Sequence, residues 1–88
     1  MIPAKLPGTP GDRHEIAERI VREATNDAKR MMSPGRWNYA LGEVRLAVIL
    51  GRVWPYMLAH CACATPADLR ALMHAVDEHA HRAAGVSL

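Results

Sequence analysis

Residues 37–63 read WNYALGEVRLAVILGRVWPYMLAHCAC, and apolar side chains occur there at nearly every angle of a helical projection. A helix that is hydrophobic all round has to be covered all round. The segments on either side each carry one clean apolar stripe, so two amphipathic neighbours must cover this middle. In a chain of 88 residues they are not expected to suffice, so part of the middle surface is expected to be kept for a second copy or another protein.

Within the stretch, a helix is predicted from near Asn38, whose side chain can cap it, through Tyr39, Leu41, Val44, Leu46, Val48, Ile49, Leu50 and Val53. Pro55 has no N–H to give the carbonyl of Gly51, and its ring presses on that turn, which predicts a kink or break. Tyr56 to Cys63 continue as a short helical piece. Arg45 and Arg52 share one narrow strip. Glu43 falls on the other side, between Tyr39, Leu50 and Trp54, where an ionised carboxylate is costly unless paired.

Upstream, Ile16, Ile20, Ala24 and Met31 recur with Ala17, Val21, Ala28 and Met32 at helical spacing. Asp12 is placed to cap this helix, with Glu15 three residues on as in a capping box. Ser33-Pro34-Gly35 stops it near Met32. Before it, Pro3, Pro7 and Pro10 with Gly8 and Gly11 predict a flexible arm over residues 1–11. Downstream, Thr65, Pro66 and Asp68 form the best helix start in the chain. Its stripe is Leu69, Leu72, Met73, Val76, Ala80 and Ala83, with Gly85 as C-cap and residues 86–88 as a tail. The expected architecture is all-α: one domain over residues 12–85, a small bundle of three long helices with the middle one kinked or broken at Pro55.

Half of the residues are apolar and Phe is absent, so the core must be built from Leu, Val, Ile, Met and Ala. A domain this small buries little more than ~60% of its unfolded surface and depends on close packing or a partner. The formal charge of +2 is too small to argue for nucleic acid by itself. Lys5 and Lys29 are the only lysines, so most cations are arginines suited to bidentate pairing. The first residues lack the long apolar run of a signal peptide, and Glu43, Arg45 and Arg52 interrupt the one candidate membrane span. A soluble cytoplasmic protein is expected. Cys61 and Cys63, the only cysteines, are too close for an ordinary disulfide and read as reduced thiols.

His60, His74, His79 and His81 crowd the last third near Cys61 and Cys63. His74, Asp77 and His81 project the same way, with Glu78 beside them, as a partial ligand set for zinc, nickel or copper. They also lie opposite the apolar stripe, where a soluble helix carries polar residues anyway. His60, Cys61 and Cys63 lack the second cysteine pair of a structural zinc site, and buried thiols account for them equally well. No metal or cofactor is assigned. Cys–His catalysis has no orienting group or oxyanion stabiliser here, and no glycine-rich phosphate loop is present, so no enzyme is expected. Thr65 to Arg70 resembles the opening of a recognition helix, yet Asp68, Asp77 and Glu78 outnumber Arg70 and Arg82 on it, which suits DNA poorly. Arg36, Arg45 and Arg52 keep a basic strip on the second helix.

Trp37, Tyr39, Trp54 and Tyr56 place every aromatic residue at the two ends of the apolar middle, and aromatics with arginine dominate interface energetics. Core packing is the plainer account for Trp54 and Tyr39, as it is for Met31, Met32, Met57 and Met73. The expected role is that of a small protein-binding regulator, an inhibitor, adaptor or antitoxin, that occludes a partner surface and pairs with itself as a homodimer. The expected contact residues are Trp37, Leu41, Arg45, Val48, Arg52 and Trp54, with Arg45 and Arg52 rimming a centre of Leu41 and Val48. A small helix-turn-helix-like DNA-binding regulator is the second reading, and a metal-binding module built on the histidines and cysteines of the last third is the third.

Overall fold

A computed structural model of the chain describes residues 10–60 and 65–87, with side chains from Arg13 onward. Five helices follow one another: α1 (Pro10–Met32), α2 (Pro34–Tyr39), α3 (Gly42–Gly51), α4 (Val53–His60) and α5 (Pro66–Ala84). The all-α reading holds among the described residues. The expected break near Pro55 is present, at Arg52, but a second break separates α2 from α3, so three short helices stand where one kinked or broken helix was expected and two helices are long, not three.

α1 is the hub. It packs most extensively on α5 and also carries α2, α3 and α4, while α3 closes onto α5. Its stripe behaves as the spacing predicts, with Ile16, Ala17, Ile20, Val21, Ala24 and Ala28 buried. Small Ala side chains let α5 approach, and Leu72, Ala75, Val76, Ala80 and Ala84 meet them from the other side. Two expectations for α1 fail at its ends. The helix already includes Pro10, the first described residue, so Asp12 lies inside it and Pro10 and Gly11 are helical where an arm was expected; residues 1–9 lie outside the described residues. Met31 is exposed, and only Met32 of that pair packs against the core.

The breaks in the middle have local causes. Ser33 precedes a proline, which disfavours the α region, and it adopts φ 66 and ψ 154, where a side chain is strained. Pro34 then opens α2 at a position where its missing N–H costs nothing. Ala40 and Leu41 are extended (ψ 147 and 150), which separates α2 from α3 and leaves Asn38 inside α2 and not at a cap. Gly42 starts α3 beneath the end of α5: a Cβ there would stand 2.8 Å from Val86 Cγ2. At the far end Arg52 turns out of helix (φ −108, ψ 0) directly after Gly51, whose carbonyl Pro55 cannot serve. The chain therefore breaks before Pro55 and restarts at Val53, putting the proline in the first turn of α4, where no N–H is needed.

α5 follows its start signal, with the Asp68 N–H donating to Thr65 Oγ1 at 3.1 Å. Gly85 at φ 79 ends it, its N–H reaching the Arg82 carbonyl while the Val86 N–H reaches that of His81 at 2.9 Å. Val86 packs on the core and so is not a free tail. The buried face of α5 is rotated from the expected stripe: Ala75 and Ala84 are inside, whereas Leu69, Met73 and Ala83 are exposed. The Cα extents are 40 × 28 × 18 Å, and the short axis has room for two helix layers. Among the described residues no helix is long and apolar enough to cross a membrane.

Candidate functional site

α3 and α4 are too apolar for the cover they receive. Ile49, Val53 and Met57 are buried and Leu46, Val48, Leu50 and Tyr56 are partly so, but Trp54 keeps 54% of its surface exposed, Leu58 82% and Leu41 71%. α4 leans on α1, and a groove of about 550 Å³ opens between α3–α4 and α5. Leu50, Val53, Trp54 and Met57 form one wall; Met73 and Val76 form the other, with Arg70, His74 and Asp77 at the rim. Trp54 and Leu58 stand one turn apart on α4, and Leu69 and Met73 one turn apart on α5. Each pair therefore shares a helix face, and each is exposed.

The expected contact residues do not form one patch. Trp37 is buried, held between α1 and α3 with the Lys29 ammonium and the Arg45 guanidinium each 5.8 Å from its ring centroid. That distance suits a cation–π contact on both. Val48 packs against the core. Arg52 lies 3.6 Å from Asp27 Oδ2 and is used inside the chain. Leu41 and Trp54 remain at the surface, Trp54 on the groove. Glu43 is exposed in the first turn of α3, where the helix dipole favours a carboxylate, so it escapes the apolar surroundings that one continuous helix would have imposed.

The residue that periodicity passes over is Asp27, the one buried charged side chain among the described residues. The Tyr56 hydroxyl donates to one of its oxygens and Arg30 to the other, with Arg52 beyond. The Tyr56 hydrogen bond, helped by the two arginines, holds the carboxyl below the usual carboxylate range against the opposing effect of burial. The same bond pushes the Tyr56 phenol up. Asp27 follows Ala24 and precedes Ala28 at core spacing, and the only hint of its role in the sequence is that an acid on this face needs a cation from elsewhere. Lys29, Arg30, Arg45 and Arg52 thus gather around a single carboxylate and one indole.

Of the histidines singled out by the sequence, His60, His74 and His81 are each engaged separately. His60 Nε2 lies 2.8 Å from Glu23 Oε2 and ties α4 to α1. His74 lies 3.2 Å from Glu78 Oε1, and His81 Nδ1 is 2.7 Å from the Asp77 carbonyl oxygen of its own helix. Among the described residues no three His, Cys, Asp or Glu side chains converge as a metal site; Cys61 and Cys63 lie outside those residues. The chain matches no known family profile, no curated protein and no solved structure.

Proposed function

We propose that the chain is a small protein-binding regulator, of inhibitor, adaptor or antitoxin type, that works by occluding a partner surface with its apolar middle. The observation that carries this reading is the groove beside α4, with a half-exposed tryptophan and two methionines in its walls. Monomeric proteins seldom leave large apolar side chains clustered in the open, and Met-lined grooves accept helices with apolar side chains one turn apart. Of the expected contact residues, Trp54 and Leu41 stay in this reading, while Arg45, Arg52, Trp37 and Val48 support the surface from within.

The first occupant is a second copy. A two-fold interface needs projection and recess on one patch, and Trp54 and Leu58 form a ridge directly beside the recess that Met73 and Val76 complete. The homodimer stands in the cytoplasm, where Cys61 and Cys63 stay reduced, and binds without a cofactor. Light scattering over a dilution series tests it: a dimer is expected at micromolar concentration. Trp54→Asp is expected to give a monomer of unchanged helicity. A wild-type chain that stays monomeric at every concentration and salt removes the second copy as occupant.

The alternative, a small helix-turn-helix-like DNA-binding regulator, draws support from the cations around Asp27. They lie on α1 and α3 and not on α5, so contact would run to phosphates and not to bases. Duplex binding that falls steeply with salt would favour it over the protein-binding reading.

A further inference from the structure

α1 and α5 cross the whole molecule together, and where the start of one meets the end of the other two imidazoles face each other. His14 Nδ1 stands 3.2 Å from His79 Nε2, with ring centroids 5.4 Å apart and planes inclined by 62°. Metal-bound imidazole nitrogens lie ~2.0–2.1 Å from zinc, so two of them are about 3.3 Å apart at the tetrahedral angle and about 2.9 Å apart at a right angle. The observed separation falls between these limits. The two nitrogens are within hydrogen-bond distance of each other, and each ring must turn for both lone pairs to meet on one ion.

Charges of both signs stand nearby, since Arg22 and Lys29 line the adjoining cavity along with Glu18 and His79. Glu18 follows His14 by one turn of α1 and lines, together with His79, a cavity of about 310 Å³. Its carboxylate holds Arg22 at 2.9 Å in an exposed pair, a weak competitor for a metal ion.

We propose that His14 and His79 form a two-imidazole clamp for a borderline divalent transition-metal ion, zinc, nickel or copper, which staples α1 to α5. Water fills the remaining positions. The clamp is separate from the groove and stands whether or not that surface binds a protein.

The test is thermal unfolding of the full chain with and without excess zinc. Wild type is expected to gain at least about 5 °C with one ion bound per chain. Either His14→Gln or His79→Gln is expected to remove the gain, whereas His74→Gln and the Cys61→Ser/Cys63→Ser double variant keep it. No gain in the wild type, or a gain that survives either substitution at the clamp, overturns the proposal. Imidazole nitrogen resonances give a second readout that needs no variant to fold: zinc must shift His14 and His79 first, and shifts confined to His60, His74 or His81 overturn it equally.

Discussion

In α1 the apolar residues Ile16, Ala17, Ile20, Val21, Ala24 and Ala28 are all buried and, apart from Met31 near its end, the exposed side chains described are polar. In α3 and α4 the apolar residues point in every direction, and only Ile49, Val53 and Met57 are buried. The two regions therefore use hydrophobicity differently. α1 converts nearly all of it into contact with α5 and the middle. α3 and α4 convert part of theirs and leave Trp54 and Leu58 at the surface, because two helix layers cannot cover a third side. The first region is where apolar surface becomes core; the second is where apolar surface stays exposed, and the proposed binding role rests on it.

The sharpest way to break that comparison is to truncate one side chain in each region. Ile20→Ala removes a fully buried side chain from α1 and is expected to cost about 3 kcal/mol in urea unfolding. Leu58→Ala should cost less than about 0.5 kcal/mol when the chain is dilute, since that side chain already faces water. Comparable losses at high dilution would mean that the middle is as much core as α1. A loss for Leu58→Ala that appears only at high concentration would instead place Leu58 inside the interface between copies.

A smaller effect separates the polar support beneath the middle from the apolar core. Asp27 is held in its ionised form by Tyr56, Arg30 and Arg52, so its carboxyl titrates lower in the folded chain than in the unfolded one. Its contribution is then complete above the unfolded value of ~4 and disappears as pH falls through the folded value. Asp27→Asn should lower the Tm by several degrees at pH 7, and the gap from wild type should close as the pH drops towards 2. A gap that stays constant over that range would show that the carboxylate charge is not what ties α1 to α3 and α4.

Which of these features can be read from sequence depends on whether one helix decides them. The stripe of α1, the Thr65 cap and the Gly85 end of α5 are local matters, and spacing reveals them. The arrangement of Asp27 with Tyr56 and Arg52 joins residues far apart in the chain, and no periodicity carries it. The breaks at Ala40–Leu41 and at Arg52 were half legible: Pro55 marks a fault at Gly51, but the separation of α2 from α3 comes with Val86 pressing on Gly42, a tertiary contact. That misreading spread to the site. The sequence reading puts Arg45, Val48 and Arg52 on a shared outer surface; in the fold Arg45 stands over the Trp37 ring, the half-exposed Arg52 reaches Asp27, and Trp54 faces the groove.

The smallest expected effect concerns the hinge between the two regions. Ser33 joins α1 to the middle at φ 66 and ψ 154, a conformation that glycine adopts freely and a residue with a Cβ does not. Its side chain caps nothing in α2, so its removal forfeits no hydrogen bond there. Ser33→Gly relieves strain of about 1–3 kcal/mol and gives back part of it through the larger backbone entropy of unfolded glycine, leaving a net gain of about 1 kcal/mol. Urea unfolding at equal slope reads that gain directly. Because the hinge conformation sets the angle at which α2 leaves α1, Ser33→Ala, which keeps the Cβ and loses only the hydroxyl, separates the two causes. It should match the wild type, and a gain as large as that of glycine would show that the backbone at Ser33 is not the source of the strain.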